Sequence, residues 1–310
     1  MGVEGQGWQG FSHYDWNDLA AVRARLDAGA DPDGGMSWST PLHAAAAFGT
    51  AEVVAEVVAR VADVDHVFDD RTALWRAVHG RRPDAVRVLL AAGADPVRPM
   101  MSGWSPARLS LTTPHPITSA EVLTRPEWET AAECGRLIAA LQGLPPHDGY
   151  SLACVAGVDA AEALRRLNAE PMPAQEALEM LAEDESEFVA GVTDVPGGCV
   201  VMQPQYYNAS SADVLDALSA GTVAYGMYAN PKSGNQGSIH RDGATVDWDL
   251  HPGGAPGDRG DTAEVLLEHL CAGHAVAYCC AYAGLRPKDA KAFTEPDQWF
   301  YLHDLSFWSA

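Results

Sequence analysis

The stretch TPLHAAAAFG, residues 40–49, decides the fold of the first half of the chain. Thr40 is suited to cap a helix, and Pro41 stands at the first helical position, where a backbone N–H is not needed. The alanines at 44–47 are small enough to let a short helix pack closely against its neighbour. The stretch therefore predicts a short, tightly packed helix that begins at residue 41.

Related stretches recur with a period near 33 residues. STPLHAAA, RTALWRAV and WSPARLSL place Thr40, Thr72 and Ser105 in equivalent positions, and GADP occurs at 29–32 and again at 93–96. AEVVAEVVARV and DAVRVLLAAG carry apolar residues at helical spacing and predict second helices. This pattern resembles the ankyrin repeat family over residues 15–115. Because NDLAAVRARLDAGADP matches only a second helix, we expect about three repeats with a partial first one.

The resemblance implies a binding role, since an ankyrin array presents its hairpin tips and short inner helices to protein or peptide partners. The tips fall at 37–39, 68–71 and 102–104, and tryptophan and arginine are favoured anchors of binding surfaces. The predicted partner-binding residues are Trp38, Phe68, Asp70, Arg71, Trp75, His79, Trp104 and Arg108. Two alternatives stay open at this stage: Trp75 belongs to the core, and the second domain covers part of the surface. His43 is expected to bond to backbone, as is usual in the repeat.

The end of the array and the domain boundary follow from prolines and turn residues. Prolines at 106, 114 and 116 predict that the last repeat ends in an irregular connection. EWETAAECGRLIAALQ, 127–142, predicts a helix that closes the array and ends at GLPPHDG. We expect a multidomain protein, an all-α ankyrin repeat solenoid followed by an α+β domain. The predicted boundaries are 1–118 for the repeats, 119–147 for the capping helix and linker, and 148–310 for an acidic α+β domain.

The second half mixes strand and helix patterns. Four stretches predict strands, the last with a hairpin turn at Asp242-Gly243: YSLACVAGV, EFVAGVTDVPGGCVVMQP, TVAYGMYA and QGSIHRDGATVDWDLH. The aromatic stretch DQWFYLHDLSFW predicts a docking strand or a tail packed on its own domain, and the alternative is an interface or a ligand wall. DAAEALRRL, PAQEALEML, SSADVLDALSAG and DTAEVLLEHLCAG predict helices, whereas HAVAYCCAYAGL fits either.

Three segments of this half together resemble an actinobacterial domain family of unknown function over about 148–310. They are YSLACVAGVDAAEALRRLN, LSAGTVAYGMYANPKSGNQGSIHRDG and DLHPGGAPGDRGDTAEVLLEHLCAG. This resemblance implies the domain boundary and the α+β class, and no activity.

Charge and hydropathy exclude several partners. The net charge is −22, and residues 148–310 hold 24 acidic against 8 basic residues, a formal charge of −16. Nucleic acid binding needs a basic footprint, so we expect none, whereas a basic protein partner is compatible with this charge. We expect no membrane partner, because no apolar run reaches about 18 residues. The start, MGVEGQGWQG, lacks the features of a signal peptide, and the six cysteines show no paired spacing, so we expect a cytoplasmic location.

One face of a predicted hairpin in the second half carries candidate metal ligands. Alternating residues on a predicted hairpin present carboxylates and imidazoles to one face, and these groups are ligands of divalent metals. The weak candidates are His240, Asp247, Asp249 and His251, and the alternative is a solvated sheet face with turn aspartates.

Other cofactor motifs are incomplete. Cys271 and His274 have C-x-x-H spacing without two further ligands, since Cys279 and Cys280 would point opposite ways on a strand. GGAPGDRG, 253–260, lacks the Lys-Ser/Thr of a phosphate loop. We therefore expect no metal and no cofactor.

Two hypotheses follow. The first is a protein–protein interaction protein whose ankyrin array binds a protein or peptide, in specific form an immunity, antitoxin or regulatory protein that neutralises a basic effector. The alternative is a bacterial enzyme of specialised metabolism, with the α+β domain catalytic and the array positioning substrate or a carrier protein. A buried cleft at 240–251 would favour chemistry, and a flat solvated sheet would favour binding.

Overall fold

The computed structural model describes residues 7–36, 38–144, 149–183, 186–249, 251–253 and 261–302. The chain forms two compact units, one of Met1–Trp128 with Asp258–His269 and one of Glu129–Gly257 with Leu270–Ala310. A segment from the second half of the sequence therefore belongs to the repeat unit, whereas the sequence placed all of 148–310 in one domain. No helix in the described part of the chain is long and apolar enough to cross a membrane.

The first unit is built from two rows of helices. After a 3-10 turn at Asp15–Asn17, the inner row stacks α2 on α4 and α4 on α6, and the outer row stacks α1 on α3 and α3 on α5. As the prolines predict, no helix forms between residues 111 and 124. If the 3-10 turn is counted as the first inner position, α6 is the fourth, and the segment that follows it forms no outer helix. The helices of these rows are α1 (Leu19–Asp27), α2 (Pro41–Phe48), α3 (Ala51–Val58), α4 (Ala73–His79), α5 (Pro83–Ala91) and α6 (Pro106–Ser110). Helix α7 (Arg125–Ala140) begins in this unit, and its residues from Glu129 onward belong to the second unit.

The repeated hydroxyl residues begin the inner helices. Each of Thr40, Thr72 and Ser105 accepts a hydrogen bond from the backbone N–H three residues further on, which satisfies a donor that the first turn leaves open. His43 bonds to backbone as expected: its Nε2 lies 2.8 Å from the carbonyl oxygen of Arg71, and its Nδ1 lies 2.7 Å from Thr40 Oγ1. His43 thus ties α2 to the second hairpin.

The second unit is an antiparallel sheet with helices on both faces. The strand order is β2-β8-β3-β4-β1-β5-β6-β7, and the last strand, β8, inserts between β2 and β3, so QWFY does form a docking strand. Phe307 and Trp308 lie outside the described residues. The strands are β1 (Ser151–Ala156), β2 (Glu170–Met172), β3 (Val189–Val195), β4 (Gly198–Gln203), β5 (Val223–Asn230), β6 (Gly234–Arg241), β7 (Ala244–Asp249) and β8 (Gln298–Tyr301).

Two apolar layers hold this sheet. Helices α8 (Ala160–Arg166) and α10 (Ala212–Leu218) bury one face, in a cluster with Val155, Val201 and Phe300. Asp159 caps α8 by accepting from the Glu162 N–H, as the sequence predicts. Helix α9 (Ala174–Ala182) lies beside β3 and β8.

The opposite face packs against α12 (Ala275–Tyr282), the stretch that the sequence left ambiguous. The placement of Cys279 and Cys280 on a strand was wrong: both lie buried on α12. The Cys280 sulfur lies 3.9 Å from that of Cys154 on β1, and the Cys279 sulfur lies 3.9 Å from that of Met227 on β5. These thiols fill the core, and all six cysteines are free and buried.

Candidate partner-binding surface

Burial divides the predicted partner-binding residues into two groups. Arg71, Trp75, His79 and Trp104 are buried, each with less than a tenth of its surface exposed. A side chain in that position contacts its own chain and cannot reach a partner unless the array opens. The exposed and half-exposed members are Trp38, Phe68, Asp70 and Arg108.

Trp104 is covered by the chain's own helix α11 (Thr262–Leu270). Its indole Nε1–H donates to the carbonyl oxygen of Thr262 over 2.8 Å, and the Thr262 hydroxyl donates to the carbonyl oxygen of Ser102 over 3.0 Å. The guanidinium of Arg108 lies 4.5 Å from the Trp104 ring centroid, within cation–π range, and pairs with Glu127 at 2.6 Å. The third hairpin tip is therefore occupied from within the molecule.

His79 contacts the same helix. Its ring stacks on that of Trp75 with centroids 5.0 Å apart, and the ring of His269 on α11 lies 5.2 Å away. His269 Nδ1 lies 3.2 Å from the His79 carbonyl oxygen, and its Nε2 lies 3.0 Å from Thr112 Oγ1. Burial lowers the pKa of His269 to about 4, and burial, helped by the charges of His269 and Arg71, lowers that of His79 well below its usual value. Both rings are neutral at pH 7 and serve packing.

Exposed aromatic side chains gather at the N-terminal end of the array. Tyr14, Trp38 and Phe48 are 76%, 41% and 38% exposed, and with His13 they form what we call the N-terminal aromatic patch. The His13 ring lies 3.9 Å from Tyr14 and 5.7 Å from Phe48, and Phe48 lies 6.1 Å from Trp38 between centroids. A shallow pocket of about 390 Å³ opens between His13, Trp38 and Phe48.

Of this patch, only Trp38 was predicted from the sequence. A signal for Phe48 was present, because it is the one large apolar side chain after a run of alanines on an inner helix. Tyr14 and His13 carried no such signal, since they precede the first recognisable helix.

The second hairpin tip continues this surface. Asp69 and Asp70 are exposed and adopt positive φ angles of 57° and 54°, which makes the tight turn between the paired residues Phe68 and Arg71. The guanidinium of Arg76 lies 5.9 Å from the Phe68 ring centroid, and its Nη1 lies 3.4 Å from the Ser39 hydroxyl of the first tip. Arg76, which was not among the predicted partner-binding residues, therefore links the first two tips.

The weak metal candidates do not converge. Strand β6 has an irregularity between Ile239 and His240, so His240 lies opposite Thr245, whereas Asp247 lies opposite Ile239. His240 is buried with Nδ1 2.6 Å from an Asp216 carboxylate oxygen on α10. Asp247 and Asp249 lie on the other face of the sheet, because cross-strand partners share a face. The expectation of one shared face was therefore wrong for His240.

Asp249 and His251 make local contacts instead. Asp249 accepts a 2.6 Å hydrogen bond from the Tyr225 hydroxyl, and its other oxygen accepts from the His251 backbone N–H. No cluster of three or more His, Cys, Asp or Glu able to hold a metal occurs among the described residues. Residues 254–260 of the glycine-rich stretch lie outside them.

Comparison with known proteins identifies the repeats. Residues 14–99 match the ankyrin repeat family model in three copies. No curated protein is significantly similar to the chain. The match ends before α6, so the incomplete fourth position and the sheet unit lie outside it, and the resemblance of the second half to an actinobacterial family stays a prediction. The three repeats suggest a role in protein–protein interaction.

Proposed function

We propose that the protein binds a partner protein through the N-terminal aromatic patch and the second hairpin tip of its ankyrin array. The observation that carries this proposal is the set of contiguous exposed rings of Tyr14, Trp38 and Phe48 on an array whose other predicted tryptophan anchors are buried. Aromatic anchors in shallow pockets supply most of the energy at many protein interfaces.

Polar groups beside the patch suit the rim of an interface. Arg76 extends between the first two tips, and Asp69 and Asp70 project from the second. Apolar anchors bordered by charged groups are the usual anatomy of a protein-binding surface, in which the rim sets orientation and specificity.

Strand β7 supports interaction rather than catalysis. It is the edge strand of the sheet, and its residues from Ala244 to Trp248 are exposed. Residues 244–248 are thus a solvated edge, and this supports the interaction hypothesis over the enzyme alternative.

The immunity or antitoxin form of the hypothesis adds a basic effector as partner. The formal charge of −16 on residues 148–310 would attract such an effector over a distance and speed its association. This form requires that the association rate fall steeply as salt rises, which stopped-flow measurements at two ionic strengths would test.

The test of the proposal is capture of the partner by the intact protein and by two variants. Tyr14→Ala with Trp38→Ala truncates two patch anchors, and Trp248→Ala removes a similarly exposed tryptophan from the sheet unit. We expect a stoichiometric protein that wild type and Trp248→Ala retain, and whose Kd rises at least about 30-fold in the patch variant, which corresponds to about 2 kcal/mol. Equal retention by all three proteins, loss only in Trp248→Ala, or capture of no protein would refute the proposal.

A further inference from the structure

The open flank of α5 is a preformed groove. Each earlier outer helix is followed by another, so that α3 covers α1 and α5 covers α3. The segment at 111–124 contains no helix, and a groove of about 1070 Å³ opens between α5 and this segment. A two-turn helix of about 12 Å length and 10 Å diameter fills roughly 900 Å³. The groove is thus of the size that a missing outer helix would occupy.

The far wall of this groove is fixed by hydrogen bonds. The Ser110 hydroxyl donates to the carbonyl oxygen of Ala107 and accepts from the Ile117 N–H over 2.8 Å. Thr113 Oγ1 donates to the carbonyl oxygen of Ser110 over 2.8 Å. These bonds hold the connection away from α5, so the groove does not depend on a bound partner to open.

The groove has an apolar floor and a basic rim. The half-exposed Leu90 of α5 and the exposed Pro114 and Pro116 line it, together with Val86 and Ile117, which are each less than a tenth exposed. Apolar side chains of this kind on an outer helix normally pack against the next outer helix of an array.

The charged residues that line it are three arginines and one aspartate, a formal charge of +2 in a chain of −22. They are Arg81, Arg82, Arg87 and Asp84. Arg82 gives one guanidinium N–H to the carbonyl oxygen of Gly49, and its buried Nε finds no acceptor among the residues that the structure describes. The rim therefore favours carboxylates on whatever fills the groove.

We propose that this α5 groove binds an amphipathic helix of a partner protein, with its apolar stripe on Leu90, Pro114 and Pro116 and with carboxylates beside Arg82 and Arg87. Such a helix would take the place of the absent outer helix and so extend the outer row by one element. Helix-in-groove recognition relies on apolar anchors at helical spacing, which this floor accepts. The surface is separate from the N-terminal aromatic patch, so the two proposals stand or fall independently.

The probe is a phage-displayed library of helix-forming peptides of about 16 residues, panned against the full-length protein at low salt. We expect enriched peptides with Leu or Ile at i, i+3, i+4 and i+7 and with Asp or Glu on the flanks. Synthetic copies are then titrated by fluorescence anisotropy against wild type and variants. Arg87→Glu is the main variant, because Arg87 is exposed and pairs only at the surface with Asp84, so that its reversal leaves the fold intact.

We expect Arg87→Glu to raise the Kd at least about 10-fold, since it replaces an attraction by a repulsion at the rim. Arg82→Ala should act in the same direction, and circular dichroism would show whether it remains folded. The matched control Arg241→Glu, an exposed arginine of the sheet unit, should leave the Kd within about twofold. The variant with Tyr14 and Trp38 replaced should also bind normally. The inference is overturned if no peptide is enriched, if enriched peptides lack acidic residues, or if Arg87→Glu binds them as well as wild type does.

Discussion

Acid should destabilise the repeat unit well above the pKa range of carboxylates, because it contains buried neutral histidines. Burial lowers the pKa of His43 and that of His269 to about 4 each, from about 6.5 in the unfolded chain. Between pH 6.5 and 4 the unfolded state binds these protons and the folded state does not. Stability is therefore fully present above pH 6.5 and is lost as the pH falls towards 4.

The magnitude follows from these values. At pH 5 each of the two histidines should lower the free energy of unfolding by roughly 2 kcal/mol relative to pH 7.5, so together the loss is on the order of 4 kcal/mol. The depressed pKa of His79 adds to it in the same direction. Protonation would also place positive charge beside Arg71 and Arg81, which face these rings.

Urea unfolding followed by tryptophan fluorescence at pH 7.5 and pH 5 measures this loss. His269→Gln should shrink the difference between the two pH values by roughly 2 kcal/mol, because glutamine keeps hydrogen-bonding capacity without titrating there. His115→Gln, at an exposed position, is the matched control and should keep the wild-type difference. Equal stability at the two pH values, or a His269→Gln protein as sensitive as wild type, would refute the reasoning.

Two further substitutions test the packing of each unit. Trp104→Phe removes the indole N–H that donates to α11 and should lower the free energy of unfolding by about 1–2 kcal/mol. The control Trp128→Phe, at a side chain 53% exposed, should change it by less than about 0.5 kcal/mol. Equal effects of the two substitutions in urea titrations would contradict the contact between Trp104 and α11. Gly198→Ala places a Cβ 1.9 Å from the carbonyl oxygen of Val155 at a φ of +156°, so we expect a loss of about 3 kcal/mol or more in calorimetry. Gly135→Ala, which meets open space on α7, should instead stabilise by about 0.5–1 kcal/mol, and an indistinguishable Tm for both glycine variants would count against this account.

Local signals in the sequence predicted most of the architecture. Thr40, Thr72 and Ser105 cap their helices by hydrogen bonds to the N–H three residues further on. Because such a bond joins residues close in sequence, the sequence alone can predict it. The prolines at 114 and 116 likewise exclude a helix without help from distant residues. Strands with strong alternation or apolar runs were recognised for the same reason.

The remainder depends on contacts between distant residues. The irregular pairing at Ile239 and His240 moves His240 to the other face of the sheet, and nothing in QGSIHRDG distinguishes a regular from an irregular register. The ambiguity of HAVAYCCAYAGL has a similar origin, because a short apolar run fits a buried helix or a strand equally well. The stretch forms helix α12, and its apolar side chains cover one face of the sheet.

Helix α11 explains why the candidate surface lies elsewhere than the tryptophan and arginine pattern first indicated. Trp104 has the indole donor and the ring area of a binding anchor, and in the structure it uses both, on Thr262 and Arg108 of its own chain. Trp104 cannot contribute to the binding of a partner in this state, because the partner would first have to displace α11. The array can therefore recruit an outside protein only through side chains that its own helix leaves uncovered. The rings of the N-terminal aromatic patch are among them, because only the short 3-10 turn at Asp15–Asn17 precedes α2 in the inner row and Phe48 stays 38% exposed.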